Sequence, residues 1–223
     1  MNVSNGVKNK AFIFDMDGVL VDSEHAWEPF ELPMLKRILG EDIAANIGDL
    51  TGNSIRGVYE KARELGSSVT ETEIANAYDE AAQHVYSVAA VAEGLDSLGQ
   101  KLVESGFKLA LVTHSPLNWV ERVLPRIPFA NQFQVVLSIR ERNLRPKPAP
   151  DGYLEVLRML QVKPIHSMAL EDANAGIQSA KAAGIYVIGF RGLLPDGYKQ
   201  EGADAYADTM EEVQKLVEEF TRR

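Results

Sequence analysis

Asp15 and Asp17 flank the single residue Met16 in Phe14-Asp15-Met16-Asp17-Gly18, directly after the apolar run Ala11-Phe12-Ile13-Phe14. Two carboxylates this close repel each other unless a cation or a shared proton lies between them. A hard divalent ion such as Mg²⁺ takes oxygen ligands and suits the pair, and Mn²⁺ shares that preference. Gly18 allows a tight turn away from the run. Alone, an Asp-x-Asp pair is most simply a surface turn, so its meaning depends on what the rest of the chain brings to it.

Three further motifs fall at the ends of apolar runs or in stiffened loops. Thr113 closes Leu109-Ala110-Leu111-Val112 and leads into His114-Ser115-Pro116. Pro116 suits the first turn of a helix, whose free N–H groups attract phosphate; Ser115 serves equally as a helix cap. Lys147 lies between Pro146 and Pro148, so a stiff loop presents one ammonium. Glu171-Asp172 closes Met168-Ala169-Leu170. Two acids there form a metal corner or, more plainly, complement a helix N-terminus.

The runs at 11–14, 109–112, 135–137, 168–170 and 186–188 are short, continuous and apolar, as strands buried on both faces are. Helical stripes separate them: Leu95, Leu98, Leu102 and Val103; Tyr153, Leu157 and Leu160; Ile177 and Ala180; Met210, Val213, Val217 and Phe220. This alternation predicts an α/β fold with a doubly wound, Rossmann-like parallel sheet. Ligands of such sheets sit beyond the carboxyl ends of the strands, where the motifs fall. From Ser23 to Val91 no strand is evident. Stripes on Trp27, Phe30, Met34, Leu35 and Ile38, on Ile55, Val58, Tyr59, Ala62 and Leu65, and on Ile74, Tyr78, Ala81 and Val85 predict helices there. Pro29 and Pro33 are expected to start, kink or break the first of these. The expected organisation is a core of residues 1–22 and 92–223 and a small inserted helical cap of residues 23–91.

With 223 residues, 45% hydrophobic and 25% charged, the chain has globular composition. Its net charge of −9 lacks the field that draws nucleic acid or anionic membrane, so neither partner is expected. There is no cysteine, which rules out disulfides, cysteine nucleophiles and thiolate metal sites. Met1 to Lys10 is polar, with no apolar core of a signal peptide, and no run reaches the ~20 residues of a membrane span. A cytoplasmic location is expected.

Taken together, Phe14-Asp15-Met16-Asp17-Gly18, Thr113, Lys147 and Glu171-Asp172 resemble, in order and spacing, the motifs of the haloacid dehalogenase superfamily of phosphotransferases. Arg145 to Asp151 and Glu171 to Gly184 look like the subgroup of sugar phosphatases and β-phosphoglucomutases. That subgroup inserts its helical cap where residues 23–91 lie. The resemblance implies Asp15 as nucleophile and Asp17 as acid/base. It implies Mg²⁺, or Mn²⁺, held by Asp15, the backbone carbonyl of Asp17, Asp172 and Glu171. Thr113 and Lys147 would hold the phosphate, with His114 and Ser115 beside them. Many relatives carry serine where this chain has Ala173, and small residues are common at position 114.

The resemblance implies a phosphatase of small phosphorylated metabolites, sugar or sugar-alcohol phosphates; a monomer or weak homodimer is expected. Asp17 separates it from the dehalogenases of the superfamily, which lack the second aspartate. Mutases of the subgroup carry a histidine ten residues after that aspartate; here the position is Trp27, and the nearest histidine is His25. Glu24, Trp27, Asn53 and Arg56 are the candidate specificity residues of the cap. The alternatives are a β-phosphoglucomutase-like phosphotransferase and a non-catalytic protein that binds phosphorylated metabolites. Phosphonate cleavage needs a Schiff-base lysine, for which Lys36 and Lys61 have no fitting context.

Overall fold

The computed structural model describes residues 9–48, 50, 54–195 and 197–222. β1 (Lys10–Phe14) runs through a tight turn to β2 (Val21–Asp22). A helical block follows: α1 (Ser23–Leu39), α2 (Glu41–Asn46), α3 (Ile55–Glu64) and α4 (Glu71–Val88). β3 (Ala90–Val91) closes it. The chain continues through α5 (Leu95–Glu104), β4 (Phe107–Thr113), α6 (Leu117–Val123), β5 (Phe133–Ser138) and α7 (Asp151–Leu160). It ends with β6 (Ser167–Glu171), α8 (Asn174–Ala182), β7 (Tyr186–Phe190), β8 (Ala205–Ala207) and α9 (Met210–Thr221).

Six strands form one sheet in the order β5-β4-β1-β6-β7-β8, with every neighbouring pair parallel. β1 lies inside it because both its faces are apolar. Ala11 and Ile13 enter one core, Phe12 and Phe14 the other. The chain leaves β1 for β4 and β5 on one side, then returns to β6, β7 and β8 on the other. This reversal opens a crevice at the carboxyl end of β1, where doubly wound sheets bind ligands. Asp15, Thr113 and Glu171–Asp172 lie at the carboxyl ends of three adjacent strands. The fold is the expected α/β core with an inserted helical cap.

Local chemistry sets the block's helices. Asp22 caps α1 by accepting from His25 N, Ser54 caps α3 by accepting from Gly57 N, and Thr70 with Glu73 forms a capping box on α4. Three details differ from the sequence expectations. α1 runs unbroken through Pro29 and Pro33, both of which lie on its exposed side, where their rings face solvent. Ala90–Val91 pairs antiparallel with Val21–Asp22, a ribbon too short to show as an apolar run. β8 is equally short and sits on the sheet edge, pairing with β7. Among the described residues no helix is long and apolar enough to cross a membrane.

Candidate active site

The turn after β1 brings both aspartates to the crevice. Asp15 N donates to Leu170 O at 3.0 Å, which extends the β1–β6 ladder by one residue and buries the Asp15 carboxylate. The chain then folds back tightly, with Leu20 N donating to Met16 O and Gly18 N to Val21 O. Gly18 has φ +67°, and a Cβ there would collide with the Asp172 carboxylate. Gly18→Ala therefore meets both a backbone penalty of about 1–2 kcal/mol and a displaced acid. A melting midpoint several degrees lower, with a smaller upward shift on adding Mg²⁺, is the expected result; unchanged curves would refute it.

Asp15, Glu171 and Asp172 are buried, and one carboxylate oxygen from each lies within 4.8 Å of the others. Lys147 enters this cluster from its proline-flanked loop. Its Nζ donates to Asp15 Oδ1 at 2.6 Å, to Glu171 Oε1 at 2.6 Å and to Val112 O at 3.3 Å. Burial pushes the carboxyls of Asp15 and Asp172 up, and their negative neighbours add to this, while Lys147 pulls both back. Burial alone would lower Lys147, but Asp15 and Glu171 outweigh it and hold the ammonium charged. With all three acids ionised, one ammonium leaves a buried negative excess. An oxygen-ligated divalent cation offsets such an excess, so the donor set fits one.

Asp17 faces the other way. Its Oδ1 accepts from Tyr86 Oη at 2.8 Å and its Oδ2 from Ser115 Oγ at 2.6 Å. Thr113, buried at the end of β4, accepts Ser115 N on Oγ1 at 2.9 Å. Ser115 is thus spent on Asp17, and α6 has no side-chain cap bond at its N-terminus. His114 lies behind the lysine loop, where its Nε2 accepts Lys147 N at 2.8 Å. That bond needs a neutral ring, and burial, with the Lys147 charge, lowers the His114 pKa to about 4.

Because the folded value lies below the ordinary 6.5, the unfolded chain binds the proton first as pH falls. The contribution to stability is complete above about pH 6.5, declines below it and is gone below about pH 4, and is worth up to about 3 kcal/mol. Melting midpoints of wild type and His114→Gln between pH 7 and 4 should therefore converge on acidification. Parallel curves would remove this role.

The cap candidates divide. Glu24, in the first turn of α1, lies near enough for its charge to raise Asp172. Trp27 is packed with Tyr78, Tyr86 and Trp119 at ring separations of 5.3, 6.3 and 5.7 Å, so its ring belongs to the seam between α1, α4 and α6. Arg56 is exposed and paired with Glu60 at 2.9 Å and Glu71 at 3.6 Å. Asn53 lies outside the described residues. His25 is exposed, and its Nδ1 is 2.8 Å from Asp22 Oδ1.

Three contributors escaped sequence reasoning. Tyr153 reads as part of an apolar stripe, yet its hydroxyl donates to Glu171 Oε1 from a fully buried ring. Gln200 Nε2 reaches Asp172 O at 2.6 Å, Phe190 O at 3.1 Å and Glu171 O at 3.3 Å. It straps the backbone of the acidic corner from a loop with no motif. Tyr86, on α4, reads only as a helix residue. None has a sequence signal, because each partner is remote along the chain.

A family model described as haloacid dehalogenase-like hydrolase matches residues 12–190. Among curated proteins, hexitol phosphatase B of Escherichia coli K12 is 32% identical over 178 residues, covering 78% of this chain and 79% of its own. Validoxylamine A 7'-phosphate phosphatase of Streptomyces hygroscopicus subsp. limoneus is 29% identical over 196 residues, covering 81% and 84%. Among solved structures, CbbY of Rhodobacter sphaeroides in complex with phosphate has a TM-score of 0.74 at 24% identity, covering 92% of this chain and 96% of that one.

Proposed function

The chain belongs to the haloacid dehalogenase-like hydrolase family, and we propose that it hydrolyses phosphate monoesters of small sugars or sugar alcohols by way of a phosphoryl group carried on Asp15. The observation that carries this is the grouping at one crevice of a buried carboxylate, Asp15, with Lys147 Nζ 2.6 Å away and Asp17 two residues on. Asp15, Glu171, Asp172 and the backbone carbonyl of Asp17 are the groups that would hold Mg²⁺, or Mn²⁺ in its place. When bound, the ion supplies positive charge that reduces repulsion between the anionic nucleophile and the anionic substrate.

The protein groups then divide the work. An Asp15 carboxylate oxygen attacks phosphorus as the bond from phosphorus to the ester oxygen breaks. Asp17 gives its proton to that departing oxygen. It then takes a proton from water as the water oxygen attacks phosphorus; the phosphorus–Asp15 bond breaks, the carboxylate is restored and phosphate leaves. Lys147 and Thr113 hold the phosphoryl oxygens as charge shifts between them. The helical block acts as the cap that limits water while the phosphoryl group moves.

The substrate class rests on two supports. Two similar proteins carry the names hexitol phosphatase B and validoxylamine A 7'-phosphate phosphatase. The cap also favours a neutral organic group over a carboxylate. Glu24, in the first turn of α1, adds negative charge on the Asp172 side.

The test is phosphate release from sugar, sugar-alcohol and small-acid phosphates, with Mg²⁺ and with a chelator. Metal-dependent release that is fastest on the sugar or sugar-alcohol esters is expected. Fastest release from acid phosphates would overturn the substrate class, and none from any ester would overturn the activity.

A further inference from the structure

Both oxygens of Asp17 are held by hydroxyls, and the two hydroxyls come from different parts of the molecule. Ser115 Oγ, at 2.6 Å from Oδ2, belongs to the core loop after β4. Tyr86 Oη, at 2.8 Å from Oδ1, belongs to the last turn of α4 in the helical block. Resting on the assignment of Asp17 as the acid that protonates the leaving oxygen, we infer that Tyr86 is a positioning residue for Asp17, which sets the carboxylate's orientation from the end of α4.

The surroundings fix Tyr86 more firmly than packing alone requires. Its ring is 1% exposed and lies 5.4 Å from that of Trp119. Its own carbonyl accepts Arg126 Nη1 at 2.7 Å, and Ala89 O accepts Arg126 Nη2 at 2.5 Å. About two turns upstream on α4, Asp79 Oδ1 accepts Trp119 Nε1 at 2.7 Å. The end of α4 is therefore bolted to the segment after β4 at several points, and Tyr86 Oη inherits that fixed position. Burial and the Asp17 charge keep the phenol protonated, so it acts only as a neutral hydroxyl. A carboxylate held at both oxygens has one orientation; with Oδ1 released, it can rotate about its side-chain bonds away from the leaving oxygen.

Tyr86→Phe removes the hydroxyl and keeps the ring. The informative comparison is kcat/KM on two substrates, since this ratio ends with departure of the leaving group and excludes the later water step. A sugar-alcohol phosphate must expel an alkoxide and needs a proton, whereas 4-nitrophenyl phosphate expels a phenolate that leaves without one. The expected result is a loss of about tenfold or more on the sugar-alcohol phosphate and less than about threefold on the nitrophenyl ester. A ring that served packing alone would lower both alike.

Asp17→Asn, measured beside it, should show the same asymmetry more strongly. If Asp17→Asn loses equally on both substrates, the acid assignment fails and the inference falls with it. If Asp17→Asn is asymmetric while Tyr86→Phe matches wild type or loses equally on both, the role of Tyr86 alone is overturned. A melting curve establishes that Tyr86→Phe is folded, and Tyr86→Met carries the same comparison should it not be.

Discussion

Asp15→Asn is expected to abolish phosphate release, by a factor on the order of 10⁴ to 10⁶, while leaving the protein at least as stable as before. The two halves of the expectation have one cause. The amide keeps the size and the oxygen that can accept Lys147 Nζ, now 2.6 Å from Asp15 Oδ1. It lacks the anionic oxygen that must bond to phosphorus. It also replaces one of three clustered buried acids, in a place where burial already disfavours the ionised carboxyl. Phosphate assays and melting curves on the same preparation test both halves. Turnover above about one hundredth of wild type would show that Asp15 is not the nucleophile. A large fall in midpoint would show that its charge is needed for folding.

Lys147→Met should act on both activity and stability. The ammonium is 5% exposed and touches two of the three acids. Replacing it with an apolar chain of similar length leaves those acids buried without their partner, a change that costs about 3–5 kcal/mol. For a chain of this size that corresponds to a midpoint about 10 °C lower. A divalent cation should recover part of the loss, because it supplies the missing positive charge and binds only the folded site. Turnover should fall about 10³-fold even with saturating metal, since the cation does not replace the donor to the phosphoryl oxygens. Melting with and without Mg²⁺ separates the effects. An unchanged midpoint would mean that the three acids do not depend on Lys147 for neutralisation.

The parts of this site visible in the sequence are those whose signal is local. Asp15, Thr113 and Glu171 each end or follow an apolar run that becomes a buried strand, so their types and positions could be read together. Lys147 stands out because prolines flank it. The Ser54 cap on α3 is local in the same way, since it joins residues three apart. Adjacency to Thr113 alone suggests His114 and Ser115 as phosphate neighbours. Their bonding partners, Lys147 N and Asp17, lie 33 and 98 residues away and give no periodic pattern. Tyr153 was hidden by its own amphipathic character, since its ring fits an apolar stripe while its hydroxyl serves a carboxylate. The two prolines of α1 were misleading for a related reason: propensity counts the lost donors but not that both positions face water.

The two-residue ribbon of β2 and β3 brings the entry and exit of the helical block to neighbouring strands, with Val21 opposite Val91 and Asp22 opposite Ala90. Strands so paired lie about 5 Å apart. To the sheet, the whole excursion from α1 to α4 is equivalent to a single hairpin loop: its two feet stay at one spacing whatever lies between them. Insertions, deletions or wholesale replacement of helices beyond those feet put no strain on the register of β1 against β4 and β6. The end of α4, where Tyr86 reaches Asp17, ties this excursion to the chemistry; the stretches before it can vary with the substrate.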